Sequence, residues 1–195
     1  PALGEVSPGR FIPVAEDSGF IVAIGDWVLE QAVRQGAAWL AQGLAMPIAI
    51  NVSALQFQQP QFIERVAAAL QASGLPAHLL ELELTESILV RDADEALQRL
   101  QALARIGVRL AIDDFGTGYS SLAYLKRFPI DKLKIDRSFI QGLPDDDSDR
   151  AIVVAILQLA AALGKKVIAE GVETESQRQF LLDSGCHEFQ GFLFA

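Results

Sequence analysis

Six short apolar runs alternate with longer segments of helical period, and this alternation constrains the chain more than any other feature. The runs are 47–53 (PIAINVS), 79–85 (LLELELT), 108–112 (VRLAI), 132–135 (KLKI), 166–169 (KVIA) and 188–194 (EFQGFLF). Each has strand length and is bounded by turn-forming residues. Between them the spacing of apolar residues predicts helices over Asp26–Gln42, Pro60–Ser73, Ala93–Ile106, Ser148–Leu163 and Thr174–Ser184. Ser148 and Thr174 suit N-caps, and Gly74, Gly107, Gly164 and Gly185 suit stops. Strand–helix alternation of this kind predicts an α/β fold, with parallel strands and helices packed outside them. No internal boundary interrupts residues 1–195, so a single domain is expected.

The polar residues that close these runs carry the functional signal. The first run ends at Asn51, the second at Glu83 with Glu86 just beyond, and the third at Asp113-Asp114. The fourth ends at Lys134 and Asp136, the fifth at Glu170 and Glu173, and the sixth carries Gln190. Parallel strands put their C-terminal ends on one rim, where active sites of such folds lie. Seven carboxylates and one ammonium are therefore expected to converge there. Unpaired, these acids would repel one another and raise their own pKa values. A divalent cation resolves the conflict, and oxygen-only donors select Mg²⁺ or Mn²⁺ over zinc. An adjacent Asp pair can bridge two ions, an arrangement suited to phosphodiester hydrolysis by an activated water. Lys134 is then placed to orient that water or to neutralise developing charge.

Composition removes several alternatives. The 25 acids against 16 bases give a net charge of −9, which disfavours DNA and anionic membrane surfaces as partners. The longest apolar stretch, Ala151–Leu163, is too short to span a bilayer. His78 and His187 lack ligand spacing, so zinc is disfavoured. One cysteine, Cys186, fits a reducing compartment and reads as a buried thiol. Trp27 and Trp39 sit at helical spacing and read as core or interface. Glu81, two residues before Glu83, reads as a barrel-layer or surface residue. The loop Asp114-Phe115-Gly116-Thr117-Gly118-Tyr119-Ser120-Ser121 also invites a dinucleotide-binding reading. Ser121 in place of a third glycine, and two acids facing an incoming pyrophosphate, oppose it. Gly116 and Gly118 instead suit a sharply turning, mobile loop.

Several segments together resemble the EAL-domain family of bacterial cyclic di-GMP phosphodiesterases. They are Ser7-Pro8 through Phe11-Ile12-Pro13 to Ala15-Glu16, Asn51-Val52-Ser53, Glu83-Leu84-Thr85-Glu86, and the run from Asp113 to Leu122 (DDFGTGYSSL). Lys134-Ile135-Asp136, the segment 169–174 (AEGVET) and Gln190-Gly191 complete the set, in the family's order. The resemblance implies a TIM-like (β/α)8 barrel whose first strand runs antiparallel to the rest. It implies hydrolysis of one phosphodiester bond of cyclic di-GMP to give linear pGpG, with Mg²⁺ or Mn²⁺. It assigns Asn51, Glu83 and Asp113 to one metal, and Asp113, Asp114 and Glu170 to a second. Lys134 resembles the lysine that contacts the nucleophilic water, and Glu170 a group that helps to activate it. Glu173 and Gln190 resemble supporting residues, and Asp136 a substrate or outer contact. Glu86 resembles the glutamate that anchors the loop 114–122, with Gly116, Thr117 and Gly118 in it, a loop linked in the family to dimerisation.

The Glu-Ala-Leu segment itself, with the strand that carries it, is expected upstream of Pro1, so the chain reads as a barrel incomplete at its N-terminus and, after Phe194, at its C-terminus. Its glutamate is expected to complete the first metal site. Some relatives hold cyclic di-GMP without cutting it and act as receptors; the intact later motifs favour the enzyme. The resemblance also implies a homodimer, fusion to sensory or GGDEF domains in a longer protein, and a cytoplasmic location, with any membrane tether lying elsewhere.

Overall fold

The computed structural model describes residue 4, residues 6–118 and residues 122–194. Two helices, α1 (Pro8–Asp17) and α2 (Ile21–Ala41), lead into β1 (Ile48–Val52). Then follow α3 (Ala54–Phe57), α4 (Phe62–Ser73), β2 (Leu80–Thr85), α5 (Glu86–Arg91) and α6 (Ala93–Ile106). The remainder is β3 (Arg109–Phe115), α7 (Leu122–Leu125), β4 (Lys132–Ile135), α8 (Arg137–Ile140), α9 (Asp147–Ala162), β5 (Lys166–Glu170), α10 (Glu175–Asp183) and β6 (Glu188–Gln190). All neighbouring strands pair in parallel, in the order β1-β2-β3-β4-β5-β6. Sequential order with helical crossovers makes this sheet a half-barrel.

Strand alternation divides the sheet into two chemically opposite faces. Leu80, Leu82, Leu84, Leu110, Ile112, Leu133, Ile135 and Ala169 point to the helices and are fully buried. They pack in one apolar cluster with Val66 of α4, Leu100 and Leu103 of α6, Val153 and Ala160 of α9, and Leu181 of α10. Each such leucine contributes about 1.5–3 kcal/mol of burial. The other face lines a groove of about 780 Å³ and carries Ala49, Glu81, Glu83, Arg109, Lys132, Lys134, Lys166, Ile168, Glu188 and Gln190. Helix-covered parallel strands usually read as unbroken apolar runs. Here LELEL and KLK alternate because only one face meets the helices.

Helix ends follow local chemistry. Asp92 caps α6 by accepting the Glu95 N–H at 3.0 Å, and left-handed Gly107 ends it. Thr174 and Gln177 form a capping box at α10. At α9 the cap is Asp146, accepting from Ser148 and Asp149, so the helix begins one residue before Ser148. Helix α1 is absent from the sequence reading, because Pro13 lies inside it. Of the two readings for Trp27, core or interface, its 62% exposure removes the core one. Cys186 is buried, as read, and burial raises its thiol pKa. No described helix is long and apolar enough to cross a membrane.

Candidate active site

An irregularity in β3 builds the acidic centre. The strand runs through Phe115 rather than ending at Ile112. Against β4, Ile112 pairs with Leu133, yet the next pair is Phe115 with Ile135. Three steps on one strand thus match two on the other, which is a β-bulge. Asp114 absorbs it with φ +53°, a left-handed conformation that Asp tolerates better than most residues. The Asp113 carboxylate accepts the Asp114 N–H at 3.1 Å and steadies the turn. Regular alternation would send Asp113 and Asp114 to opposite faces. Instead, carboxylate oxygens of Asp113, Asp114 and Glu170 lie within 4.8 Å of one another, a group able to hold a metal ion.

Lys134 stands at the centre of this mouth. Its Nζ lies 2.7 Å from Glu83 Oε2, 3.0 Å from Asp113 Oδ1 and 2.7 Å from Glu170 Oε1. The ammonium is almost fully buried, and three carboxylates over-neutralise it. Burial alone would push the Lys134 pKa down. The hydrogen bonds to Glu170, Glu83 and Asp113 outweigh it and hold the ammonium well above the ordinary lysine range. Glu170 is raised, first by burial and then by Asp113 and Glu83, against the pull of Lys134. Asp114 is raised by burial, then by Asp113 and Asp136. For Asp136 burial also raises, but hydrogen bonds from the Ser138 hydroxyl and N–H prevail and lower it. The same carboxylate caps α8.

The other sequence candidates surround this centre. Asn51 is exposed and level with Glu83 in the β1–β2 register. Gln190 is exposed and level with Glu170. Glu173 is exposed beyond β5, its N–H donating to Gln177 Oε1 at 2.8 Å. Glu86 is buried at the start of α5, and its Oε2 accepts the N–H groups of Gly116 at 3.0 Å and Gly118 at 3.1 Å. Thr117 is exposed and donates its hydroxyl to Asp114 O at 2.9 Å. These loop amides are therefore taken by a carboxylate rather than offered to a pyrophosphate, which argues against dinucleotide binding. Residues 119–121 lie outside the described residues.

Gly171 was not singled out from the sequence, though it follows Glu170 directly. It has φ +71°, and a Cβ there would stand 2.6 Å from Arg137 Cβ. Gly171→Ala is expected to destabilise the protein by about 1–3 kcal/mol through backbone strain and collision. Urea denaturation measures this, and a midpoint equal to the parent's would contradict it.

The EAL domain family matches residues 1–195. The bifunctional diguanylate cyclase/cyclic di-GMP phosphodiesterase MucR of Pseudomonas aeruginosa is 52% identical over 195 residues, covering 99% of this chain and 28% of MucR. The cyclic di-GMP phosphodiesterase NbdA of the same organism is 44% identical over 196 residues, covering 100% of this chain and 25% of NbdA. The chain thus spans about a quarter of the length of these curated relatives. The structure of the PaMucR phosphodiesterase in complex with c-di-GMP superposes with a TM-score of 0.97 at 51% identity, covering all of this chain and 79% of that one.

Proposed function

The chain belongs to the EAL domain family, and on that premise we propose that residues 1–195 form one EAL-type domain that hydrolyses cyclic di-GMP to linear pGpG. The carrying observation is the convergence of Glu83, Asp113 and Glu170 on buried Lys134, with Asp114 turned into the same cluster. An intact set of this kind favours turnover over mere retention of the ligand.

The donors are all oxygens, which suits Mg²⁺ or Mn²⁺. Asn51, Glu83 and Asp113 would hold one ion, and Asp113, Asp114 and Glu170 a second. When bound, such ions lower the pKa of water and polarise phosphoryl oxygens. Lys134 holds a permanent ammonium beside the attacked phosphate, orienting the incoming water and countering the charge that builds on phosphorus. Glu170, at the same mouth as Lys134, takes the proton that the water releases. The water's oxygen joins phosphorus, one ring P–O bond breaks, and the leaving ribose oxygen ends as a hydroxyl. Asp136, Glu173 and Gln190 line the approach to substrate. Glu86 holds Gly116, Thr117 and Gly118 over the mouth, in a loop suited to a homodimer contact. In the longer protein we place sensory or GGDEF domains beside this one, and the reaction in the cytoplasm.

The test is incubation of the full-length protein with cyclic di-GMP and Mg²⁺ or Mn²⁺, with products separated by chromatography. pGpG is expected, and a chelator should abolish its formation. Asp113→Asn should reduce the rate by at least about 100-fold, since even outer partners of metal ligands count for up to that. Absence of pGpG from the metal-loaded parent would remove the reading.

A further inference from the structure

Beneath the catalytic charges lies a second charged layer on the same face of the sheet. Lys132 Nζ is 3.0 Å from Glu81 Oε1 and 3.7 Å from Glu188 Oε2. Lys166 Nζ is 3.7 Å from Glu188 Oε1. Glu81 is 5% exposed, so its charge sits nearly as deep as that of Lys134, which is also 5% exposed. Two similar triads are therefore stacked two residues apart along the strands: Glu83–Lys134–Glu170 above, and Glu81–Lys132–Glu188 below.

The backbone register does not by itself keep these triads apart. Glu83 is level with Ala111, and Ala111 is level with Lys132. By Cα position, then, Lys132 stands across a single strand from Glu83. Its ammonium nevertheless turns down to Glu81, two residues lower on β2, and Glu83 is left to Lys134. The Lys132 side chain is half-buried, and its ammonium pairs with whichever carboxylates lie in reach. Without Glu81, Lys132 keeps Glu188 at 3.7 Å, and the one carboxylate left on β2 at its own level is Glu83.

We propose that Glu81 and Lys132 are positioning residues. Glu81 holds the Lys132 ammonium in the lower layer, so that Glu83 faces the mouth with one cation rather than two and stays a strong oxygen donor. The assignment of Glu83 as a metal ligand rests on the function proposed above. The position of Lys132 is independent of which phosphodiester is cut.

Mn²⁺ binding to the full-length protein, followed by calorimetry without nucleotide, separates the two questions. Glu81→Gln should weaken Mn²⁺ binding about tenfold, the scale of lost outer-shell support. At limiting Mn²⁺ its kcat should fall while KM for cyclic di-GMP stays near the parent's, and saturating Mn²⁺ should restore the rate. The double variant Glu81→Gln/Lys132→Met removes the stray ammonium and should restore Mn²⁺ affinity to within about threefold of the parent. A lower layer that merely stabilised the fold would give no such rescue. Parental Mn²⁺ affinity in Glu81→Gln, or a double variant as weak as the single, would overturn the proposal. Should Glu81→Gln fail to fold, Glu81→Asp takes its place: a loss of Mn²⁺ affinity that Lys132→Met repairs supports the idea, and parental affinity overturns it. Inactivity of the parent toward cyclic di-GMP would strike the proposed reaction and leave the Mn²⁺ result standing.

Discussion

Lys134→Met is expected to lower the hydrolysis rate by about 10²–10⁴-fold, the range for removing a group that handles protons in the transition state. The same substitution removes the cation shared by Glu83, Asp113 and Glu170. Three carboxylates would then face one another with no cation between them. Breaking a buried ionic set by deleting one partner costs about 3–5 kcal/mol. The metal-free variant should therefore melt well below the parent. Its stability should also respond more strongly to added Mn²⁺, because the ion then supplies the only compensating charge. The sign of the pH dependence follows from the raised lysine pKa. In the parent, the contribution of Lys134 is fully present below the ordinary lysine pKa and is lost only as pH climbs through the raised value. Across the neutral range the ammonium persists, so the gap between parent and variant should not close there. Calorimetric melting with and without Mn²⁺, beside initial rates, measures both effects. A variant with parental rate would remove Lys134 from the chemistry.

Glu86→Ala is expected to release the loop that follows Asp114. Glu86 Oε2 accepts from both Gly116 and Gly118, and a Cβ on Gly118 would already stand 3.0 Å from the Glu86 carboxyl carbon. Loss of the acceptor leaves two N–H donors unpaired, at about 1–3 kcal/mol each where they stay dry. Gly116 is two residues from Asp114, whose left-handed turn sets the acidic cluster. A displacement near 1 Å at such a centre can cost about 100-fold in rate, and that loss is expected here. Hydrogen exchange should show faster exchange at Gly116 and Gly118. Glu86→Gln keeps an acceptor oxygen and should lie between parent and alanine variant. Unchanged exchange together with unchanged rate would contradict the clamp.

Much of the scaffold is legible in the sequence, for local reasons. The predicted helix Ala93–Ile106 matches α6 at both ends: its apolar spacing and the stop at Gly107 are local signals. The strands emerge from apolar runs, and Lys134 and Glu170 sit at the ends of runs that need no tertiary information. The bulge at Asp113-Asp114 is not legible. Strand-end position places both acids at the mouth, but the register slip that turns them to one face depends on pairing with β4. The role of Glu86 as acceptor for Gly116 and Gly118 is legible only through the family resemblance and not from local pattern, since 30 and 32 residues separate the partners. Lys132 and Glu81 are 51 residues apart, and nothing local joins them. Helix α1 went unread because Pro13 argues locally against it, while Ala15 is buried and the helix packs on α2.

The extra residue in β3 sets regular hydrogen bonding and reactivity against each other. Removing a single position there would heal the ladder between the third and fourth strands. The repaired strand would resume strict alternation and send one aspartate into the oily layer under the helices. Selection for a smoother, sturdier sheet would therefore erode the very defect that brings the acids together. Such a domain keeps its imperfection only for as long as the reaction is wanted.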